Sequence, residues 1–247
     1  MSYVLFFDSG LGGLSVMKEA IALHSEENYI YYADNIHLPY GDKTLEEIRK
    51  YTIDAISGVI DAYPVKAVVI ACNTATSAAC RPLRQIYPDI PVIGIEPAIK
   101  PAAETFSGGN IGVLATEATL RQPKFLALTE KFSSLANIIP IPCPGLVNFV
   151  ESGIFHGKEL EEFLAKIRSK TKDIKFDGLV LGCTHYPFLK DEIQRAFDCN
   201  NVFDGGRGTV NNLFRMIKTG DEGKRIFINS AKRDDFTLKA NELLQKK

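Results

Sequence analysis

Short apolar runs recur along this chain, and each stops at a polar or glycine-rich turn. Val4 to Phe7 leads into Asp8, Tyr29 to Ala33 into Asp34, Ala67 to Ala71 into Cys72, and Val92 to Ile95 into Glu96. The series then restarts. Ile111 to Ala115 leads into Thr116, Ile138 to Ile141 into "PCPG", Leu179 to Gly182 into Cys183, and Asn201 to Phe203 into "DGG". Near-continuous apolar runs of this length predict strands of a parallel sheet covered on both faces. Helical spacing fills the gaps. Thr44 and Glu47 form a capping-box pattern, after which Leu45, Ile48, Ala55, Ile56, Val59 and Ile60 keep roughly one face. Leu160, Phe163, Leu164 and Ile167 do the same. The stretch beyond Arg207 reads as mostly helical.

Strands alternating with helices imply an α/β fold with right-handed crossovers. Two sets of four strands suggest two similar domains. Each has a central, mostly parallel sheet flanked by helices, and a pseudo-two-fold relates them. The third run of each set ends in a cysteine, in "AVVIACNT" and "GLVLGCTH". That is the carboxyl end of a central strand, where open α/β sheets bind ligands. The Pro-rich stretch Ile95 to Glu104, followed by "SGGN", suits a crossover between domains.

Composition narrows the function. The chain has 247 residues, 45% apolar and 24% charged, with a net charge of -1. That balance gives no reason to expect nucleic acid or an anionic membrane as partner. No apolar run approaches a membrane span, and the N-terminus lacks a basic signal-peptide region, so a cytoplasmic location is expected. The five cysteines are odd in number and form no CxxC, which argues against disulfides, zinc ribbons and thioredoxin-type chemistry. The four histidines are scattered, and only His185 stands near a cysteine. No metal site is expected.

The candidate chemistry sits in the turns. "DSGLGG" places Asp8 and Ser9 before glycines that let backbone amides approach an anion, although a helix-capping Asp8 explains it as well. "ADNIHLPYG" gathers Asp34, Asn35, Tyr40 and Gly41, or is simply a polar loop. Cys72 is followed by Asn73, Thr74 and Thr76 at an expected helix start, where a thiol's pKa falls and carboxylates bind. Cys183 is followed by Thr184 and His185. Cys80 reads as helix packing, Cys143 has no obvious base, Cys199 lies in a polar loop, and Glu151 reads as a solvated helix charge. Two thiols at matching strand ends suit one task in particular. One thiolate removes a proton from a carbon while the other thiol returns one to the opposite face, inverting the centre. The two domains would then present them across one cleft.

Six motifs occur in order from about Phe6 to Gly206: "FDSGLGGLSV", "YYADNIHLPYG", "ACNTATSAA", "GIEPAIKPA", "CPGLVNFVESG" and "LGCTHYPFL". Together they resemble the glutamate racemases of the aspartate/glutamate racemase family. The resemblance implies a cofactor-independent isomerase that interconverts L- and D-glutamate and supplies D-glutamate for peptidoglycan. It implies that Cys72 takes the α-proton of D-glutamate and Cys183 that of L-glutamate. Asp8 would assist Cys72, His185 would assist Cys183, and Glu151 joins the catalytic group. Implied substrate contacts are Asp8, Ser9, Tyr40, Gly41, Asn73, Thr74, Thr184 and His185, with Thr116 and Thr119 as weaker candidates. It also implies that the C-terminal segment returns to the first domain. The expected division is 1–97 with 207–247, and 98–206, with the active site in the cleft between. Partners would be the two glutamate enantiomers, and a homodimer is allowed for with no geometry carried over. Glu117 and Gly205 depart from the pattern, at places often basic or polar and often serine. An aspartate or hydantoin racemase, and a binding protein for a small anion, are the competing readings.

Overall fold

A computed structural model describes residues 2–246. The chain divides into two compact units. One comprises the residues up to Glu96 together with those from Gly206 onward, and the other is Pro97–Gly205.

The first unit holds the strands β1 (Tyr3–Asp8), β2 (Tyr29–Ala33), β3 (Val65–Ile70) and β4 (Val92–Gly94). Between them run the helices α1 (Leu14–Leu23), α2 (Leu45–Ala62) and α3 (Asn73–Ile86). Every residue of β1 is buried, as a central strand with both faces covered requires. α2 begins at the capping box read from the sequence: Thr44 Oγ1 accepts the Glu47 amide, and the Glu47 carboxylate accepts the Thr44 amide. Its buried face is Ile48, Thr52, Ile56 and Val59. Leu45, expected on that face, is exposed, because the first helical position turns outward beside the cap.

In the second unit α4 (Ile99–Thr105) precedes β5 (Asn110–Ala115), which is followed by α5 (Glu117–Arg121) and α6 (Pro123–Phe132). Next come β6 (Asn137–Pro142), α7 (Leu146–Glu151), α8 (Lys158–Ser169), β7 (Gly178–Leu181), α9 (Lys190–Phe197) and β8 (Val202–Asp204). The chain then returns to the first unit through α10 (Gly206–Met216), β9 (Arg225–Asn229) and α11 (Phe236–Gln245).

The strand β9 corrects the expectation of a mostly helical C-terminal stretch. It pairs in parallel with β2, from Tyr29↔Arg225 to Ala33↔Asn229. Its apolar residues Ile226, Phe227 and Ile228 are only partly buried, as befits an edge strand. That short run, set between charged residues, left too weak a period-two signal to stand out.

All pairings are parallel, in the orders β4-β3-β1-β2-β9 and β6-β5-β7-β8. In the first sheet the chain leaves β1 toward β2 and then crosses back to β3. The switch point therefore lies between β1 and β3. In the second sheet it lies, by the same logic, between β5 and β7. Outside the carboxyl ends of strands at such a point, the flanking connections run in opposite directions and leave a crevice. Two glycines show how tightly these points are built. A Cβ on Gly13 would stand 2.7 Å from the Asp8 Cβ and 2.9 Å from the Ala71 Cβ, and one on Gly182 would stand 3.0 Å from the Ala115 Cβ.

A polar knot fastens β9 to the first unit. The fully buried Glu27 carboxylate meets Lys66 Nζ at 2.8 Å and accepts the amides of Asn28 at 2.9 Å and Gly220 at 3.3 Å. Lys66 also reaches Asp221, just before β9, at 3.2 Å. Removing the ammonium leaves a buried carboxylate without its counter-charge, which is costly. Lys66→Met is therefore expected to lower unfolding free energy by about 3 kcal/mol in denaturant titration.

Candidate active site

At the first switch point β1 and β3 end side by side, and the Ala71 amide donates to the Phe7 carbonyl at 2.8 Å. Asp8 is fully buried, and its carboxylate accepts the Gly10 amide at 2.8 Å. Ser9 Oγ lies 3.8 Å from Cys72 Sγ. Cys72 keeps an extended backbone and caps α3, its sulfur accepting the Ala75 amide at 3.5 Å. A thiol placed there has its thiolate favoured by the unpaired amides and dipole of the helix start. Asn73 and Thr74 follow, both buried, and Asn73 Oδ1 has no hydrogen-bond partner among the described residues.

The segment after β2 carries Tyr40 and Gly41. Tyr40 is buried and donates its hydroxyl to Asp34 Oδ2 at 2.7 Å. Burial and the Asp34 charge hold its pKa far above the ordinary tyrosine value, so the phenol stays a neutral donor. Sequence reasoning noticed Asp34 but left it outside the site. Its signal was an acid directly at the end of a strand.

At the second switch point the Gly182 amide donates to the Leu114 carbonyl at 2.7 Å. Cys183, Thr184 and His185 follow, all buried. His185 Nδ1 lies 3.7 Å from Cys183 Sγ, and Nε2 lies 2.7 Å from Glu151 Oε1. Glu151 is the last residue of α7, which packs on the turn Tyr186–Leu189 that follows His185. The solvated-charge reading of Glu151 is thus replaced by a part-buried carboxylate paired with a buried imidazole, and a contact between residues this far apart in sequence has no local signature. Burial opposes a charge on His185, but the Cys183 sulfur and the Glu151 carboxylate outweigh it. The His185 pKa is held well above the ordinary histidine value.

Thr116 caps α5, with its Oγ1 accepting the Thr119 amide at 3.3 Å and meeting Thr119 Oγ1 at 3.0 Å. All five cysteines are buried. Cys143 donates to the Ile141 carbonyl at 3.3 Å, and its pKa is pushed up to about 12, first by burial and then by Cys183. Cys80 is buried along α3, and Cys199 points to the Asn201 carbonyl at 3.8 Å. Among the described residues, no three His, Cys, Asp or Glu side chains are grouped to hold a metal ion.

The raised His185 pKa has a thermodynamic sign. Its stabilisation is complete below the unfolded histidine value of about 6.5 and is lost as pH rises through the higher folded-state value. Glu151→Gln removes one of the two groups that hold the proton. The variant is expected to show a lower His185 pKa by NMR titration, and a smaller loss of stability between pH 6 and pH 9.

The sequence matches the family described as Asp/Glu/Hydantoin racemase over residues 9–213. It is 50% identical over 214 residues to the glutamate racemase of Clostridium perfringens (strain SM101 / Type A), covering 86% of this chain and 82% of that protein. The structure is similar to that of Escherichia coli glutamate racemase in complex with L-glutamate and the activator UDP-MurNAc-Ala. The TM-score is 0.89 at 30% identity, covering 99% of this chain and 94% of the other. It is also similar to the glutamate racemase of Francisella tularensis in complex with D-glutamate, with a TM-score of 0.85 at 27% identity over 100% and 94% of the two chains. A match of this identity and length settles the lineage: the chain belongs to the Asp/Glu/hydantoin racemase family, among its glutamate racemases.

Proposed function

We propose that the chain interconverts L- and D-glutamate by direct proton exchange at the α-carbon, with Cys72 and Cys183 as its two bases. One observation carries the assignment. Of the five cysteines, Cys72 and Cys183 are the two at a sheet switch point with a polar side chain beside the sulfur.

The chemistry is balanced without an added reagent. From D-glutamate, the Cys72 thiolate takes the α-proton, and the C–H electron pair moves onto the carbon and its carboxylate. The Cys183 thiol then gives its proton to the opposite face. Cys72 ends as thiol and Cys183 as thiolate, which is the state required for the reverse reaction from L-glutamate. Asp8 serves the Cys72 side, and His185 with Glu151 serves the Cys183 side. The α-proton is only weakly acidic, so the developing charge needs preorganised donors. Ser9, Gly41, Asn73, Thr74 and Thr184, with Tyr40, Thr116 and Thr119, are the polar groups assigned to hold the amino acid. D-glutamate produced this way would enter peptidoglycan synthesis, and the enzyme would act in the cytoplasm. No helix among the described residues is long and apolar enough to cross a membrane.

Incubation with L- or D-glutamate in D2O tests the assignment. Deuterium is expected at the α-carbon, with racemisation from either enantiomer. No exchange with either would leave a binding protein, and exchange with aspartate alone would point to an aspartate racemase. Cys72→Ser and Cys183→Ser are each expected to lower racemisation by about a hundredfold to ten-thousandfold while leaving the fold intact. Cys80→Ser and Cys199→Ser should change it little. Near-full activity in Cys72→Ser or Cys183→Ser would refute the two-base assignment.

A further inference from the structure

The segment from Asp34 to Lys43 is anchored more firmly than a surface connection needs. The Asp34 amide donates to the Asp8 carbonyl at 2.9 Å, tying this segment to β1. The Asp34 carboxylate is almost fully buried, and it accepts from two members of its own loop. His37 Nδ1 lies 2.8 Å from Oδ2, and the Tyr40 hydroxyl donates at 2.7 Å. The His37 ring stacks on Tyr51 of α2, with centroids 3.7 Å apart and planes 5° apart. From the other side, the Ile36 amide donates to Ser230 Oγ at 2.9 Å, and the Ser230 amide to the Ala33 carbonyl at 3.0 Å. The loop is thus fixed to β1, α2 and the end of β9.

The anchorage has an address. Tyr40 lies in the same buried cluster as Phe7, Cys72 and Ala75. The turn Tyr40–Asp42 packs against α3, the helix that Cys72 caps. A buried phenol fills this place only if its hydroxyl is satisfied, and the Asp34 carboxylate provides the acceptor. Without the carboxylate, the Tyr40 hydroxyl would lose its buried charged acceptor.

We propose that Asp34 is a positioning residue for the reaction, acting through Tyr40 to fix the wall against which the Cys72 sulfur is held. The inference rests on the reading of Cys72 as a base. It assigns Asp34 no proton transfer. Asp34 keeps the aromatic ring and the adjoining Gly41 backbone in register with α3, and so keeps the thiol aligned with the α-carbon.

The test uses Asp34→Asn and Tyr40→Phe, the latter keeping the ring and removing only the hydroxyl. The equilibrium constant between enantiomers is one, so kcat/KM must fall equally in both directions. The one-sided origin of the defect shows instead in isotope effects. Both variants are expected to lose tenfold to a hundredfold in kcat, on the order that small misalignments cost. The primary isotope effect should rise with α-deuterated D-glutamate, whose proton Cys72 removes, and fall with α-deuterated L-glutamate. The double variant should be no worse than the more impaired single variant, since both break one contact. Isotope effects that stay put or move together, or wild-type kcat in Tyr40→Phe, would overturn the inference. Thermal melts accompany each assay, and if Asp34→Asn fails to fold, Tyr40→Phe decides. Full activity in Cys72→Ser would sink the two-base reading and the inference together. Loss of activity in Cys72→Ser beside an unaffected Tyr40→Phe would sink the inference alone.

Discussion

A parallel sheet must send its chain back across itself, and the place where the direction of winding reverses is where backbone groups and side chains are left facing outward. In both units that reversal occurs beside the first strand, between β1 and β3 and between β5 and β7. Both candidate cysteines follow strands at those two points. Asp8 and Cys72 end neighbouring strands, and Thr116 and Cys183 follow neighbouring strands in the same way. The cost is close packing, which Gly13 and Gly182 meet by having no side chain. A substitution there would crowd the strand ends before it touched any reacting group.

The two sulfurs share a topological position but not an environment. Cys72 has amides: it caps a long helix and has the Ser9 hydroxyl nearby. Cys183 has an imidazole held by a carboxylate. Under the two-base reading the helix start offers Cys72 fixed dipoles, and His185 offers Cys183 a ring nitrogen. Their response to pH therefore differs. A helix terminus does not titrate, whereas the His185 imidazole does.

Much of this was legible in the sequence because parallel strands announce themselves. Eight apolar runs gave eight strands, and the capping box at Thr44 gave the start of α2. Cys72 and Cys183 stood out because each followed such a run directly. What stayed hidden was of two kinds. β9 is a half-exposed edge strand paired with β2, and the Glu27–Lys66–Asp221 knot beside it is a contact among residues far apart in sequence. The Glu151–His185 pair is likewise tertiary, and the Asp34–Tyr40 bond, though within one loop, is set by how that loop folds back on itself. The motifs containing those residues were visible, but the partnership of one acid with one ring was not.

The hidden contacts also explain why so much of the polar machinery is buried. A carboxylate near a reacting thiolate is a liability if it is free to move, because like charges raise the energy of the deprotonated sulfur. Asp34 is occupied by Tyr40 and His37, and Glu151 by His185, so each acid's charge is directed into a hydrogen bond. The same acids in water would be screened and mobile, and would fix nothing. Once buried and paired, they hold rings whose apolar bodies shape the surroundings of the sulfur. The balance between repulsion and positioning is therefore set by hydrogen-bond geometry rather than by the number of charges. A neutral amide that preserved the shape but not the strength of these bonds would disturb alignment more than electrostatics.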